Sequence, residues 1–392
     1  MAQIITAKKQ SLELAHILHK HIGDYKNQYR LWPQHKKIVT DLLNCRTAQL
    51  GGHIERCDSC GSVRITYHSC RNRHCPKCQH MPREPWLEKR KDEILPVKYF
   101  HVVFTLPHEL NTIILNNKKV MLNGLFAAAS KTLLDFGENE LNGTPGFLAI
   151  LHSWDQKLNA HFHLHCLVAG GVVSKDKKRW RPVRNDYLFN EEALSQVFRG
   201  KFMQRLGHVR KTGALKFTTG AYGNFKNMLY AKNWVVSVRD PVNRPDHVLE
   251  YLARYTHRVA IANSRIKMFK DGRVTFTAKD RKKNCTESVT ISAVEFIRRF
   301  LLHSLPTGFV RIRHYGFLAN RNRMAKLNII RRLLKLPALA AKTQAAFEKI
   351  MLQLTGIDIT ICPCCKTGKM KLLEKIPMYR ARAPNCLAHA AC

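Results

Sequence analysis

HFHLHCLVAGG, residues His161 to Gly171, is the stretch that decides how this 392-residue chain folds. Side chains alternate between the two faces of a β-strand, so a strand here places His161, His163 and His165 on one face. Neutral imidazole nitrogens on a rigid strand can bind a divalent cation. A half-buried strand that happens to contain histidines fits the spacing equally well. The opposite face carries four core-forming residues: Phe162, Leu164, Cys166 and Val168.

A second strand is predicted just before this one, over Gly146 to Asp155, with the hairpin tip near Lys157 to Ala160. In that hairpin Gln156 lies almost directly across from His163, so its amide oxygen competes with His161 for the place of third metal ligand. A slip of one residue turns Gln156 away, which leaves a solvent-exposed turn glutamine as the alternative.

The charge of the chain is far from balanced. The sequence has 66 Lys and Arg against 28 Asp and Glu, a formal net charge of +38 with a pI near 10.1, and 45% hydrophobic residues. A hydrophobic fraction of this size allows two or three domains with a sizeable core. Solubility needs far less charge of one sign, so the excess predicts a polyanionic partner, most simply nucleic acid.

The thirteen cysteines point to a reducing compartment. Several stand in Cys-x-x-Cys pairs, which is typical of metal thiolate sites rather than of a disulfide framework. The N-terminus lacks the apolar stretch of a signal peptide, and no apolar window is long enough to span a membrane. We therefore expect a cytoplasmic, nucleoid-associated bacterial protein that does not bind a membrane.

Two Cys-x-x-Cys pairs near the N-terminus predict structural Zn2+. A fourteen-residue spacer separates the pair Cys57 and Cys60 from the pair Cys75 and Cys78. Four thiolates so arranged can surround one zinc ion, although the spacer is slightly short. A second zinc site is a further possibility, the alternative being buried cysteines and phosphate-contacting histidines. Its ligands would be Cys45, His53, Cys70 and His74.

Two arginine-rich segments are predicted to contact DNA. Arg71 and Arg73 lie inside the zinc module, where contact with the DNA backbone and a solvated loop are equally compatible with the sequence. Arg311 and Arg313 belong to the segment RIRHYGFLANRNR, in which arginine beside tyrosine suits stacking on bases and binding of phosphate. A network of ion pairs within the folded protein is the alternative there.

A helix is predicted from Pro245 and Asp246 through Ala260. On it His247, Tyr251, Tyr255 and Arg258 follow at spacings of four, four and three, and so share one face. Aromatic residues at this spacing are often only core packing. With a bound metal nearby, a tyrosine hydroxyl could attack phosphorus and release a 3′ hydroxyl, and Arg254 and Arg258 would contact the DNA.

Three motifs occur in the order found in HUH endonucleases: FTLP (Phe104 to Pro107), the triplet His163, Leu164 and His165, and YLARY (Tyr251 to Tyr255). The chain resembles the two-tyrosine rolling-circle transposases of the insertion-sequence-91 family. The segments CRTAQLGGHIERCDSCG, YLARYTHRVAIANSRI and EFIRRFLLHSLPTGFVRIRHYGFLA also carry the resemblance, which covers about residues 40 to 320.

The resemblance implies an α+β fold, in which an HUH-endonuclease core with a central antiparallel sheet and packed helices follows a helical zinc-binding domain. It implies a transposase that cuts and rejoins single-stranded DNA at transposon ends, with His163 and His165 as ligands of Mg2+ or Mn2+ and with Tyr251 and Tyr255 as nucleophiles. The third ligand is left open by the family pattern, and no Glu stands at the position of Gln156.

The predicted domains are residues 1–95, which bind zinc and DNA, residues 96–345, the nuclease, and residues 346–392, a basic tail. In the tail Cys362 and Cys365 suggest a further zinc knuckle, with Cys386, His389 and Cys392 as an irregular second half.

The sequence contains no GxxxxGK[ST] motif, so we expect no nucleotide cofactor and assign strand separation to host replication or helicase proteins. A plasmid relaxase or replication initiator could use the same core. A non-catalytic zinc-dependent DNA-binding regulator would explain the charge and the cysteines, but not the histidine triplet together with paired tyrosines.

Overall fold

The computed structural model describes residues 12–78, 90, 92–215, 222–242, 247–248, 259–280, 283–339, 352 and 356–379. The chain divides into two compact units, Met1–Met81 with Gln344–Cys392 and Pro82–Thr343. Helices and antiparallel sheets are both present, which confirms the predicted α+β class. None of the helices in the described part of the chain combines the length and the apolar character needed to cross a membrane.

The described residues form α-helices over Leu14–Gln28 (α1), Pro33–Leu43 (α2), Asn111–Asn116 (α3), Lys118–Glu140 (α4), Glu191–Lys211 (α5), Tyr222–Ala231 (α6), Ala293–Leu302 (α7) and Arg323–Leu333 (α8). They form strands over Gly52–Cys57 (β1), Val63–Tyr67 (β2), Tyr99–Thr105 (β3), Thr144–Trp154 (β4), Ala160–Val173 (β5), Trp180–Pro182 (β6), Val236–Val242 (β7), Ile266–Lys270 (β8), Arg273–Asp280 (β9), Cys285–Ser292 (β10), Ile312–Gly316 (β11) and Met370–Ile376 (β12).

The smaller unit contains α1 and α2, as the apolar spacing between Ser11 and Cys45 predicts, together with a sheet of order β12-β1-β2. The sequence predicted residues 346–392 as a separate domain, and this was wrong. Strand β12 pairs antiparallel with β1 from Gly52 to Cys57 and so belongs to the N-terminal unit. The pairing satisfies backbone groups that an open edge of β1 would otherwise expose.

The larger unit is built on an antiparallel sheet of order β11-β4-β5-β3-β7, with β6 added beside β5. One sheet face packs against α4 and α5 and forms the main core. Phe104 of β3 and Leu164 of β5 are fully buried there, and the Phe104 ring lies 4.9 Å from that of Phe198. The prediction that Phe162, Leu164, Cys166 and Val168 form the buried face of the central strand is confirmed.

The opposite face of the same sheet, called here the histidine face, carries a second core. Leu148 and Ile150 of β4 and Leu167 of β5 pack there together with Leu327 of α8 and with Val248. The alternation of the strands places His152, His163 and His165 on this face as well.

A smaller sheet of order β10-β9-β8 completes this unit. The pair Asp271 and Gly272 forms the turn that connects β8 to β9, with φ angles of 48° and 68°. These positive angles are those of the tight hairpin turn that Asp-Gly favours. Helix α7 begins after Ser292, whose side-chain oxygen accepts a hydrogen bond from the Glu295 amide at 3.2 Å.

Candidate functional site

Three histidines converge where β4 and β5 pair. His152 lies directly across from His163, and one ring nitrogen from each of His152, His163 and His165 lies within 4.8 Å of the other two. The Nε2 atoms of His163 and His165 are 3.1 Å apart, and all three side chains are buried. A trio of buried imidazoles on two paired strands fits a divalent metal ion.

Hydrogen bonds on the far side of two rings fix which nitrogen faces the trio. Nδ1 of His163 lies 3.0 Å from the carbonyl oxygen of His161, to which it donates, so its Nε2 is the nitrogen that faces the trio. Nδ1 of His165 lies 2.8 Å from Nε2 of His101 on β3, so Nε2 of His165 faces the trio as well. Partners of this kind orient metal-binding histidines and raise their basicity.

Neither predicted third ligand is part of the trio, although the centre of the His161 ring lies 4.7 Å from that of His163. His161 is exposed, and among the described residues it is not part of the trio. The predicted hairpin register was wrong, because His163 faces His152 and not Gln156. The Gln156 carbonyl accepts a hydrogen bond from Arg265 at the turn. The sequence did indicate the position of His152, because Leu148, Ile150 and His152 are spaced two residues apart and so lie on one face of the strand.

Aromatic rings pack against one side of the trio. The His152 ring stacks on Trp154 with centroids 4.9 Å apart, and Trp154 in turn meets the edge of His303. His303 is buried and lies within hydrogen-bond distance of Ser153 Oγ and of the Leu158 carbonyl. Burial lowers the pKa of His303 to about 4, so this ring is neutral at physiological pH and adds no charge beside a cation.

The predicted nucleophiles Tyr251 and Tyr255, and with them Arg254 and Arg258, lie outside the described residues. Residues on either side of this segment are described. Val248 is 1% exposed and packs on the histidine face, and Ile261 is fully buried.

Eight of the described cysteines form two groups of four in the smaller unit. In the first group the sulfurs of Cys45 and Cys78 lie 3.4 Å apart, and those of Cys70 and Cys78 lie 3.6 Å apart. Cys75 completes the group, 3.6 Å from Cys45. Tetrahedral Zn–S bonds of about 2.3 Å separate sulfurs by about 3.8 Å, so this group has the size of a zinc site. Hydrogen bonds, chiefly from Cys45, lower the pKa of Cys78 toward the thiolate that metal binding requires.

The second group combines Cys57 and Cys60 with Cys362 and Cys365. The predicted single site of Cys57, Cys60, Cys75 and Cys78 is therefore incorrect, because its two pairs belong to different groups. Spacing along the chain shows which cysteines form a pair, but not which pairs meet after folding. Of the proposed second set, Cys45 and Cys70 join the first group, whereas His53 and His74 belong to neither group of the described residues.

The predicted DNA-contacting arginines differ in their surroundings. Arg71 is exposed and Arg73 is partly buried. Arg313 is half-buried, and its guanidinium lies 4.0 Å from the centre of the Phe126 ring and donates a hydrogen bond to Asn123 Oδ1 at 2.6 Å. The Arg311 backbone carbonyl accepts a hydrogen bond from the Leu151 amide. The observed contacts of Arg313 are therefore within the protein, but they are with an aromatic ring and an amide rather than the ion pairs of the alternative.

Comparison with known proteins agrees with these features. A family model described as "Transposase zinc-binding domain" matches residues 17–106, and one described as "Putative transposase" matches residues 146–326. "Putative transposase y4qJ" of Sinorhizobium fredii is 41% identical over 377 residues, which cover 92% of this chain and 95% of that protein. The "Transposase for insertion sequence element IS801" of Pseudomonas savastanoi pv. phaseolicola is 26% identical over 301 residues, or 73% of this chain and 70% of that protein. The chain therefore belongs to the insertion-sequence-91 family of transposases that carry an N-terminal zinc-binding domain.

Proposed function

We propose that this transposase nicks and rejoins single-stranded DNA at transposon ends through a 5′-phosphotyrosine intermediate. The observation that carries the proposal is the buried trio of His152, His163 and His165 on a protein with a net charge of +38. The six-stranded antiparallel sheet, with helices on its core face and the histidines on the other, agrees with an HUH-endonuclease core.

The trio would hold the Mg2+ or Mn2+ ion that the family resemblance implies, with coordination positions left open for phosphate oxygens. Such an ion polarises a phosphate oxygen and neutralises charge that develops on it. Neighbouring groups of the protein orient two of the histidine rings. His101 fixes the ring of His165 at 2.8 Å, and the backbone of His161 fixes the ring of His163 at 3.0 Å.

The nucleophiles in this proposal are Tyr251 and Tyr255. The phenolic oxygen forms a bond to phosphorus, the bond from phosphorus to the 3′ oxygen breaks, and the proton of the phenol is lost to solvent or to the leaving oxygen. The energy of the broken bond is retained in the phosphotyrosine, so a free 3′ hydroxyl can reverse the step. Support comes from Val248, which lies three residues before Tyr251 and is buried on the histidine face.

Structural Zn2+ would be held by Cys45, Cys70, Cys75 and Cys78 in the N-terminal unit. Arg71 and Arg73 lie between two of these ligands in the chain and would contact the DNA backbone from there. Strand separation would fall to host replication or helicase proteins.

The proposal is tested with the purified full-length chain, Mn2+, and single-stranded oligonucleotides that carry the flanks of the gene. We expect nicked DNA and a covalent protein–DNA adduct that survives denaturation. The double variant Tyr251→Phe with Tyr255→Phe should form no adduct but should still shift the oligonucleotide in a binding gel.

Tyr187→Phe is the matched control, because Tyr187 is 55% exposed and belongs to no predicted site. This variant should nick as the wild type does. An adduct that persists in the double variant would show that another residue is the nucleophile. Nicking of duplex but not of single-stranded DNA would contradict the proposed substrate.

A further inference from the structure

We infer that Cys57, Cys60, Cys362 and Cys365 together bind one structural Zn2+ ion, so that residues from the two ends of the chain complete a single metal site. The family model for the zinc-binding domain matches residues 17–106, and neither Cys362 nor Cys365 lies within it. The site therefore adds a C-terminal part to the zinc-binding unit.

The first argument is the distance between the sulfurs. Sγ of Cys57 lies 3.7 Å from Sγ of Cys365, and Sγ of Cys60 lies 3.7 Å from Sγ of Cys362. All four sulfurs lie within 4.8 Å of one another. Tetrahedral zinc with bonds of about 2.3 Å places its sulfurs about 3.8 Å apart, whereas a disulfide requires about 2.05 Å.

The second argument is that the two Cys-x-x-Cys segments repeat one backbone turn. The amide of Gly61 donates to the Cys57 carbonyl at 3.2 Å, and the amide of Lys366 donates to the Cys362 carbonyl at 2.9 Å. The residue after each second cysteine has a positive φ, 71° at Gly61 and 60° at Lys366. Two matching turns that face each other present four sulfurs to one point.

Backbone amides also point at the sulfurs. The amide of Ser59 lies 3.4 Å from Sγ of Cys57, and the amide of Cys364 lies 3.4 Å from Sγ of Cys362. The amide of Gly368 lies 3.3 Å from Sγ of Cys365. Such donors favour the thiolate over the thiol, and the thiolate is the form that binds zinc.

The third argument is that apolar packing does not account for the position of β12. No residue of this strand is buried, and Leu372 and Leu373 are 57% and 60% exposed. An exposed strand next to β1 gains little from the hydrophobic effect. A metal ion that bridges the chain ends supplies the missing stabilisation, as structural zinc does in other small domains.

Contacts beside the sulfurs fit a closed site. The Asp58 amide donates to the Lys369 carbonyl at 3.1 Å, and the Lys369 amide donates to Asp58 Oδ1 at 2.8 Å. A Cβ at Gly368 would lie 2.5 Å from Sγ of Cys57, so only glycine allows the two segments to approach this closely.

The test is the zinc content per chain of purified full-length protein, measured by mass spectrometry of the metal. The double variant Cys57→Ser with Cys60→Ser should lose one ion relative to the wild type, and so should the double variant Cys362→Ser with Cys365→Ser. The quadruple variant should lose the same single ion. Cys364→Ser is the matched control, because Cys364 lies between the two C-terminal ligands but outside the group, and it should keep the full content.

Losses that add, so that the quadruple variant lacks two ions, would overturn the inference. So would a C-terminal double variant that keeps all its zinc. If the serine variants do not fold, the same question is tested on the wild type. Zinc is removed stepwise with a chelator, and the alkylation of each cysteine is measured at every step. The four cysteines should then become labelled together. Labelling of Cys362 and Cys365 before any zinc leaves, or labelling only after a reductant, would contradict the shared site.

Discussion

Replacement of His101 by Phe should weaken metal binding at the histidine trio without changing the ligands themselves. His101 and His165 are 7% and 5% exposed, and their ring nitrogens lie 2.8 Å apart. Phe keeps most of the ring volume but leaves Nδ1 of His165 buried without this partner, at a cost of about 1 to 3 kcal/mol. At about 1.4 kcal/mol per factor of ten, that cost corresponds to roughly a 5- to 150-fold loss of affinity. Loss of an outer partner of a metal-binding histidine typically costs about 10- to 100-fold, in agreement with this range.

The assay is a calorimetric titration with Mn2+, followed by nicking at increasing Mn2+. We expect a dissociation constant raised about 10- to 100-fold and nicking restored to within a few-fold at saturating metal, because only the orientation of His165 is affected. His108→Phe is the control, since the His108 side chain is 82% exposed, and it should bind Mn2+ as the wild type does. A folded His101→Phe variant with unchanged Mn2+ affinity would refute the reasoning, and nicking that saturating metal fails to restore would give His101 a different role.

Three more perturbations test the ligand set and the fold. His152→Ala should abolish Mn2+ binding while His161→Ala preserves it, as measured by calorimetry; the reverse result would restore the ligand expected from the sequence. The pKa of Glu295 is lowered to about 2, chiefly by its hydrogen bond from Arg298. The ionised carboxylate therefore stabilises the folded protein at pH values above its ordinary pKa of 4.5, and this stabilisation is lost as the pH falls toward 2. Glu295→Gln should therefore cost about 1 kcal/mol of unfolding free energy at pH 7 after solvent screening, and the cost should vanish near pH 2 in urea titrations. Gly316→Ala should cost more than about 3 kcal/mol, because φ is 61° and the new Cβ would lie 1.6 Å from the Pro145 carbonyl oxygen. Gly308→Ala, with φ 71° and open space around it, should cost clearly less.

Local periodicity was sufficient to predict the elements that contribute most to the core. The alternation in HFHLHCLVAGG predicted both faces of β5, and YFHVVFTL, rich in β-branched and aromatic residues, is typical of the strand β3 that it forms. The segment from Ala293 to His303 follows Ser292, a favourable helix cap, and its apolar spacing is typical of the helix α7 that it forms. Such patterns are informative because side-chain period and capping depend on neighbours within a few residues.

Long-range partners could not be predicted in the same way. The pair Cys362 and Cys365 lies about three hundred residues from Cys57 and Cys60, and local sequence does not specify which Cys-x-x-Cys pair closes on which. Strand β12 illustrates the same limit, because its exposed, weakly apolar sequence gives no period to recognise and its position depends on pairing with β1.

The third histidine shows how a small error in a turn changes a predicted site. We placed the tip of the β4–β5 hairpin near residues 157–160 and Gln156 almost directly across from His163. In the structure Trp154 pairs with Ala160 and His152 pairs with His163, so the residue opposite His163 lies four positions earlier in the chain than predicted.

The residue that sets the tip is Asp155. Its side-chain oxygen Oδ1 accepts hydrogen bonds from the amides of Lys157 at 2.8 Å and Asn159 at 2.7 Å, and its own amide donates to the Asn159 carbonyl. Aspartate often accepts hydrogen bonds from backbone amides a few residues later and so forms a turn. The sequence DQKLN therefore indicates a turn that begins at Asp155. Had the turn been predicted to begin at Asp155 and to close at Asn159, Trp154 would have paired with Ala160, and His152, two residues before Trp154, would have been the next position on the same face of β4. The composition of the histidine trio is therefore determined by the turn as much as by His163 and His165, because the turn decides which residue of β4 lies opposite them.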